Sequence, residues 1–200
     1  LNLIANTRMT LNDYSYDPSG TSNSALFSLV EGTFAFVAGK VAHSGDMKIA
    51  TPVATMGIRG TAGWSGHQLP LISSTLGDVY GFALAHDPGV DTFGRYMLLK
   101  QDLNGNPVLD PNGNPIALDL VASPDILALC TSDSCTHIPM TSGLAGFGQG
   151  IMQGAYDASN ATNPGANPGG HGSGDQPFTP QFPENGNGDR IEFINFTVIN

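Results

Sequence analysis

The chain reads as an all-β domain, a stacked or rolled β-sheet of solenoid-like or sandwich form, and three features lead there. Gly (26) and Pro (14), with abundant Asn, Ser and Thr, mark frequent turns. Runs of Ala, Leu, Glu, Lys and Arg long enough for extended helices are missing from the 200 residues. Short apolar segments recur at intervals of roughly ten to twenty residues, each closed by a turn signal.

The elements follow in order. Leu1 and Leu3 alternate with polar residues, and Met9 and Leu11 do so again after Ala5-Asn6-Thr7. A polar loop is expected over 13–25, then a strand at Ala25–Val30. Glu31-Gly32 turns the chain into Thr33–Val37, where Phe34 and Phe36 share one strand face. Met47–Ala50 and Val53–Arg59 follow on either side of Thr51-Pro52. Further strands are expected over 75–85 and 95–100. Two similar segments, Asp102 to Pro107 and Asp110 to Pro115, each carry Asn-Gly, the dipeptide that most readily accepts positive φ. With Val108, Leu109, Ile116 and Leu118 beside them, they predict a protruding β-hairpin. Ser123-Pro124-Asp125 suits a helix start, so a short helix is expected over 123–130. A second, weakened by five glycines, is expected over 143–156.

From Asp157 to Gly188 the composition turns to Gly, Pro and Asn and reads as a linker. Beyond it, 189–200 has strong β composition. A lone strand leaves its backbone groups and apolar face unpaired. It must therefore return to its own domain, begin another, or pair with a neighbouring molecule. The organisation expected is a β domain over 1–156, a linker over 157–188 and a terminal strand over 189–200.

Charge narrows the function classes. Net charge is -10, and only 12% of residues are charged. Nucleic-acid binding, which needs a basic face, is disfavoured, as is docking on anionic lipid. No stretch approaches the ~18 apolar residues of a membrane span, and 1–11 lack signal-peptide features. The partner expected is protein, with no nucleic acid and no membrane insertion.

Cys130 and Cys135, in Cys-Thr-Ser-Asp-Ser-Cys, suit a structural disulfide and an oxidising compartment. Free thiols are the alternative. Four intervening residues, where a redox pair has two, and the lack of a second Cys pair argue against redox or zinc chemistry. Alternating oxygens at Asp102, Asn104, Asn106 and at Asp110, Asn112, Asn114 resemble the start of a calcium loop. Pro107 stands where glycine is wanted and no bidentate Glu follows, so turns are the expectation, with calcium the minor alternative and no other cofactor. His43, Ser44 and Asp46 are too close in sequence for triad geometry. His67, His86, His137 and His171 lack metal-ligand spacing. No enzyme is expected. Asn160-Ala161-Thr162 and Asn195-Phe196-Thr197 match the glycosylation sequon, a short pattern that carries little weight.

The stretch from Ala25 to Gly63, and above all Ile49-Ala-Thr-Pro-Val-Ala-Thr-Met-Gly-Ile-Arg-Gly-Thr61, resembles the core motif of FecR-like domains. The resemblance covers roughly the first third of the chain. It implies an all-β periplasmic or extracellular domain, of the form found in large secreted or surface bacterial proteins. In the motif, Pro52 interrupts strand pairing and Gly57 and Gly60 permit tight corners. Arg59 is expected to tie carbonyls of adjacent turns, with ligand binding the sharper alternative. The function expected is a non-catalytic structural module of an extracellular or cell-surface protein, able to assemble into a filament by strand exchange through Ile191, Phe193, Phe196 and Val198. The alternative is a periplasmic signalling domain of FecR type that contacts an outer-membrane transporter.

Overall fold

A computed structural model of the chain describes residues 1–17, 23–38, 45–58, 60–67, 69, 72, 79–86, 93–102, 105–162 and 193–195. Thirteen strands and one helix are formed among them. They are β1 (Asn2–Ile4), β2 (Arg8–Ser15), β3 (Asn23–Glu31), β4 (Thr33–Val37), β5 (Gly45–Ala50), β6 (Thr55–Ile58) and β7 (Ala62–His67). After these come β8 (Tyr80–Ala85), β9 (Tyr96–Leu99), β10 (Ala117–Val121), β11 (Ile126–Cys130), β12 (Cys135–Pro139), helix α1 (Ser142–Thr162) and β13 (Phe193–Asn195). The strands make two sheets, ordered β12-β11-β8-β7-β4-β1-β13 and β10-β9-β6-β5-β3-β2. Pairing is antiparallel except between β3 and β5.

Apolar alternation dictates the layering. Phe34, Phe36, Tyr80, Phe82 and Leu84 of the seven-stranded sheet meet Ile49, Met56, Ile58, Tyr96 and Leu98 of the other in one buried cluster. Each of the three phenylalanines is fully buried, which stabilises the fold by about 1.5–3 kcal/mol apiece. The opposite face of the seven-stranded sheet contributes Ala35, Ala62, Trp64, Ala83, Leu127 and Leu129 to a second cluster beneath α1. The helix answers with Leu144, Phe147, Ile151, Met152 and Ala155, a stripe at helical spacing. Thr141 caps it, its hydroxyl accepting the Leu144 N–H at 3.3 Å. The order is therefore helix, sheet, sheet.

The chain changes sheet at corners. Gly32, between β3 and β4, has φ of 94°, and a Cβ there would lie 2.3 Å from Thr7 Oγ1. That hydroxyl donates to Thr33 O (2.8 Å) and accepts the Thr33 N–H (3.0 Å), so two corners are tied together. Gly60, at φ 67°, turns β6 into β7, and Thr61 Oγ1 accepts the Gly94 N–H there at 3.2 Å.

Several expectations change. Residues 126–130 are strand β11, not helix, because β8 and β12 flank both of its edges and take its backbone groups. Ser123-Pro124-Asp125 makes the turn before it, with Ser123 Oγ accepting the Asp125 N–H. The loop expected over 13–25 is shorter, since β2 runs to Ser15 and β3 starts at Asn23. The helix expected over 143–156 continues through Thr162, into the stretch expected to be linker. The remainder of the linker lies outside the described residues.

Candidate functional site

Two places in the fold hold the residues singled out in the sequence, and they are opposite edges of the seven-stranded sheet.

The first edge is β12. Cys130 and Cys135 face each other across the β11–β12 hairpin and are joined by a disulfide. The Thr131 N–H bonds to Ser134 O inside the loop, which leaves the cysteine pair at the next position, where strands approach most closely. Two residues on, His137 shares the face of Cys135, because strand side chains alternate. Its Nε2 lies 2.6 Å from Asp119 Oδ2, on β10 of the other sheet. Asp119 Oδ1 accepts the Leu120 N–H at 2.8 Å. The Asp119 oxygen and both sulfurs lie within 4.8 Å of one another. Tyr96 is fully buried close by, and its hydroxyl has no hydrogen-bond partner. Burial, and then the Asp119 charge, push its phenol well above the usual tyrosine range. Lys100 Nζ to Asp133 Oδ1 (3.3 Å) makes a second bridge, from the end of β9 to the cysteine loop.

The second edge is β13, which pairs with β1 through Asn2–Asn195, Leu3–Ile194 and Ile4–Phe193. Of the residues expected to exchange strands, Phe193 falls in this pairing, while Ile191, Phe196 and Val198 lie outside the described residues.

The segment between β9 and β10 forms two hairpin loops in tandem, closed by bridges at Gln101–Pro107 and Leu109–Pro115. Lys100, Val108 and Ile116, eight residues apart, bond in a cycle. Lys100 N–H donates to Ile116 O, Val108 N–H to Lys100 O, and Ile116 N–H to Val108 O. Asp110 Oδ1 accepts the Asn112 and Asn114 N–H groups, both at 2.8 Å, and Asp102 Oδ1 accepts that of Asn106 at 2.9 Å. The bond from Asn114 above all holds the Asp110 carboxyl below the usual aspartate range. These carboxylates thus close turns, while Asn104 lies outside the described residues.

The residues from Ile49 to Ile58 serve structure as well. Thr51 Oγ1 donates to Ala54 O (2.8 Å) and accepts the Ala54 N–H (3.1 Å), closing the β5–β6 turn around Pro52. Gln101 clamps that turn, its Nε2 donating to Thr51 O (2.6 Å) and its Oε1 accepting from Thr55 Oγ1 (3.1 Å). Arg59, His43, Ser44 and His171 lie outside the described residues. Asp46 pairs with Lys48, His67 stacks on Tyr80, and His86 meets Phe93 edge-on.

Sequence reasoning treated the histidines as scattered and so missed the Asp119–His137 contact. The available signal was Cys135-Thr136-His137, two donors on one face of a strand. No family model, curated protein or solved structure matches the chain. No helix among the described residues is long and apolar enough to cross a membrane.

Proposed function

We propose that the protein is a non-catalytic structural module of a secreted or cell-surface bacterial protein, of FecR-like type, that assembles with copies of itself by exchanging its terminal strand. The observation that carries this is the place of β13. It closes one edge of the seven-stranded sheet through three residue pairs, and residues 163–192 separate it from α1. A linker of that length reaches a neighbour. The same three pairs, made to β1 of a second copy, cost no new interface chemistry, which is the logic of strand swapping. The disulfide supports an oxidising surroundings, and the Ile49–Thr61 resemblance supports a surface or periplasmic domain.

The test compares the full chain with a chain ending at residue 188, by light scattering and negative-stain microscopy. Trp64 fluorescence reports whether the sandwich stays folded. Filaments or oligomers that disappear on truncation, with the fold retained, support the proposal. Monomers in both cases overturn it and turn attention to a signalling domain that meets a different protein.

A further inference from the structure

We propose that the β12 edge is a redox-gated metal site: when Cys130–Cys135 is reduced, its two thiolates, the Asp119 carboxylate and His137 bind one Zn²⁺ or a like divalent ion. This inference stands apart from strand exchange, since it involves the opposite edge of the sheet.

The donor set is what zinc selects, two soft sulfurs with one imidazole and one carboxylate. Three of the donors already lie within 4.8 Å of one another. The fourth, His137 Nε2, is 2.6 Å from Asp119 Oδ2 but stands outside the 4.8 Å group that the other three form. Tetrahedral zinc, with bonds of ~2.3 Å to sulfur and ~2.0–2.2 Å to nitrogen and oxygen, needs ligand atoms ~3.3–3.8 Å apart. The sulfurs therefore separate once their bond is gone, His137 parts from Asp119 by less than about 1 Å, and the His137 ring swings toward the sulfurs to complete the tetrahedron.

A second observation points to the same spot. The Tyr96 hydroxyl is buried and unpartnered, and Tyr96 pairs with Val121, which shares the face of Asp119 two residues away on β10. The hydroxyl is a spare buried donor beside the strand that carries Asp119, and metal-bound carboxylates usually have such donors around them. His137, 43% exposed, gives the ion a path from solvent. The site would join the sheets, because Asp119 stands on β10 and the other donors on β11 and β12.

The chemistry balances simply. An external dithiol or phosphine gives two electrons to the S–S bond, two protons come from solvent, and two thiols form. Zn²⁺ then replaces the two thiol protons, which return to solvent. Oxidation by peroxide reverses the sequence and expels the ion.

The experiment titrates Co²⁺, then Zn²⁺, into the full chain with and without phosphine, following thiolate-to-cobalt charge-transfer and tetrahedral d–d absorption, with circular dichroism recorded throughout. The reduced chain is expected to bind one Co²⁺ tetrahedrally and to lose it to Zn²⁺, while the oxidised chain shows no such spectrum. Cys130→Ser should abolish the charge-transfer band. Asp119→Asn and His137→Ala should each weaken binding at least tenfold, in line with loss of a metal ligand or its support. A reduced, folded chain without the charge-transfer band overturns the proposal. So does an affinity unchanged in both Asp119→Asn and His137→Ala, which would mean two thiols acting alone. If reduction unfolds the chain, failure of Zn²⁺ to restore the fold overturns it equally.

Discussion

Replacing Gly148 by alanine sets two effects of known sign against each other. Alanine in place of a mid-helix glycine stabilises a helix by about 1 kcal/mol. Yet a Cβ at 148 would lie 2.4 Å from Trp64 Nε1 and 2.9 Å from Trp64 Cε2, where ~3.5–4 Å is comfortable. The indole has little room to yield, since Phe147 packs edge-on against it with ring centres 5.6 Å apart. Either α1 lifts from the sheet by about 1 Å or Trp64 leaves its rotamer, and overpacking of this kind costs about 1–3 kcal/mol. The net expectation is a loss of up to about 2 kcal/mol. Gly146 is the control, because a Cβ there meets nothing within 4 Å. Gly146→Ala should therefore gain about 0.5–1 kcal/mol. Urea unfolding followed by the fluorescence of Trp64, the chain's one tryptophan, separates the two variants. With a slope of about 2–3 kcal/mol per molar urea, their midpoints should differ by up to about 1 M. If Gly148→Ala stabilises as much as Gly146→Ala, then α1 does not rest on Trp64 and the seating of the helix described above is wrong.

Reduction of Cys130–Cys135 in the presence of a metal chelator should cost about 2 kcal/mol in the same assay, because the loop it closes is only six residues long; a change below about 0.5 kcal/mol would mean that the bond does not constrain the unfolded chain. Tyr96→Phe should raise stability by about 1 kcal/mol by removing a buried hydroxyl without a partner. In the parent, the raised Tyr96 phenol keeps its proton while the unfolded chain releases it, so stability linked to this group is complete below the usual tyrosine range and falls as pH rises above it; ultraviolet titration of the parent against Tyr96→Phe should show Tyr96 failing to ionise until unfolding. Asp110 works in the opposite direction. Its depressed carboxyl supports the loop above the usual aspartate range, and the support is lost as pH falls through its lowered value; hydrogen exchange at Asn112 and Asn114 should quicken there, and in Asp110→Ala at neutral pH.

How far the fold was legible depended on where each strand's instructions reside. Thr33–Val37 alternates Phe with small residues, and its pattern alone placed β4 at its observed bounds. β11 misled because Ile126-Leu127-Ala128-Leu129 has no alternation, being buried from Leu127 to Cys130 by one cluster between the sheets and another under the helix. A run buried on both faces carries no period by which to tell strand from helix. β7, Ala62–His67, was invisible because its glycines are set by neighbours distant in sequence; at Gly66 a Cβ would stand 2.0 Å from Thr33 Oγ1. α1 looked weak for a related reason. Gly148 and Gly154 lower its intrinsic helicity, yet they are where the helix touches Trp64 and Asn2. The Asn2 amide donates to Ile151 O at 2.9 Å through the gap left at Gly154. At the candidate site, the Cys130–Cys135 pairing was legible because it is local, whereas Asp119 and His137 meet only through the stacking of two sheets.

The two edges of the seven-stranded sheet are built on contrary principles. A free edge offers unpaired backbone groups to any passing strand, and proteins restrict this by covering, charging or bracing the edge. β12 is braced: a disulfide ties it to β11, His137 ties it to Asp119 of the other sheet, and Lys100 holds the cysteine loop through Asp133. Each tie fixes β12 to elements adjacent in the same chain, so opening that edge means breaking covalent and charged contacts together. β1 receives a different partner, a three-residue strand that arrives from beyond residue 162. Closing a loop of thirty residues costs only about 0.6 kcal/mol more for each doubling of its length. In the proposed exchange, whether β13 comes from its own chain or from a neighbour is decided largely by concentration, since the pairing is the same in both. In the proposed exchange the chain joins in one sense only, strand to β1 edge, and such head-to-tail contacts propagate unless a ring closes. If the proposed strand exchange builds filaments, the braced edge keeps them from branching, so loosening β12 through Cys135→Ala with His137→Ala should broaden filaments into lateral aggregates visible by negative stain, and filaments of unchanged width would show that β12 needs no bracing.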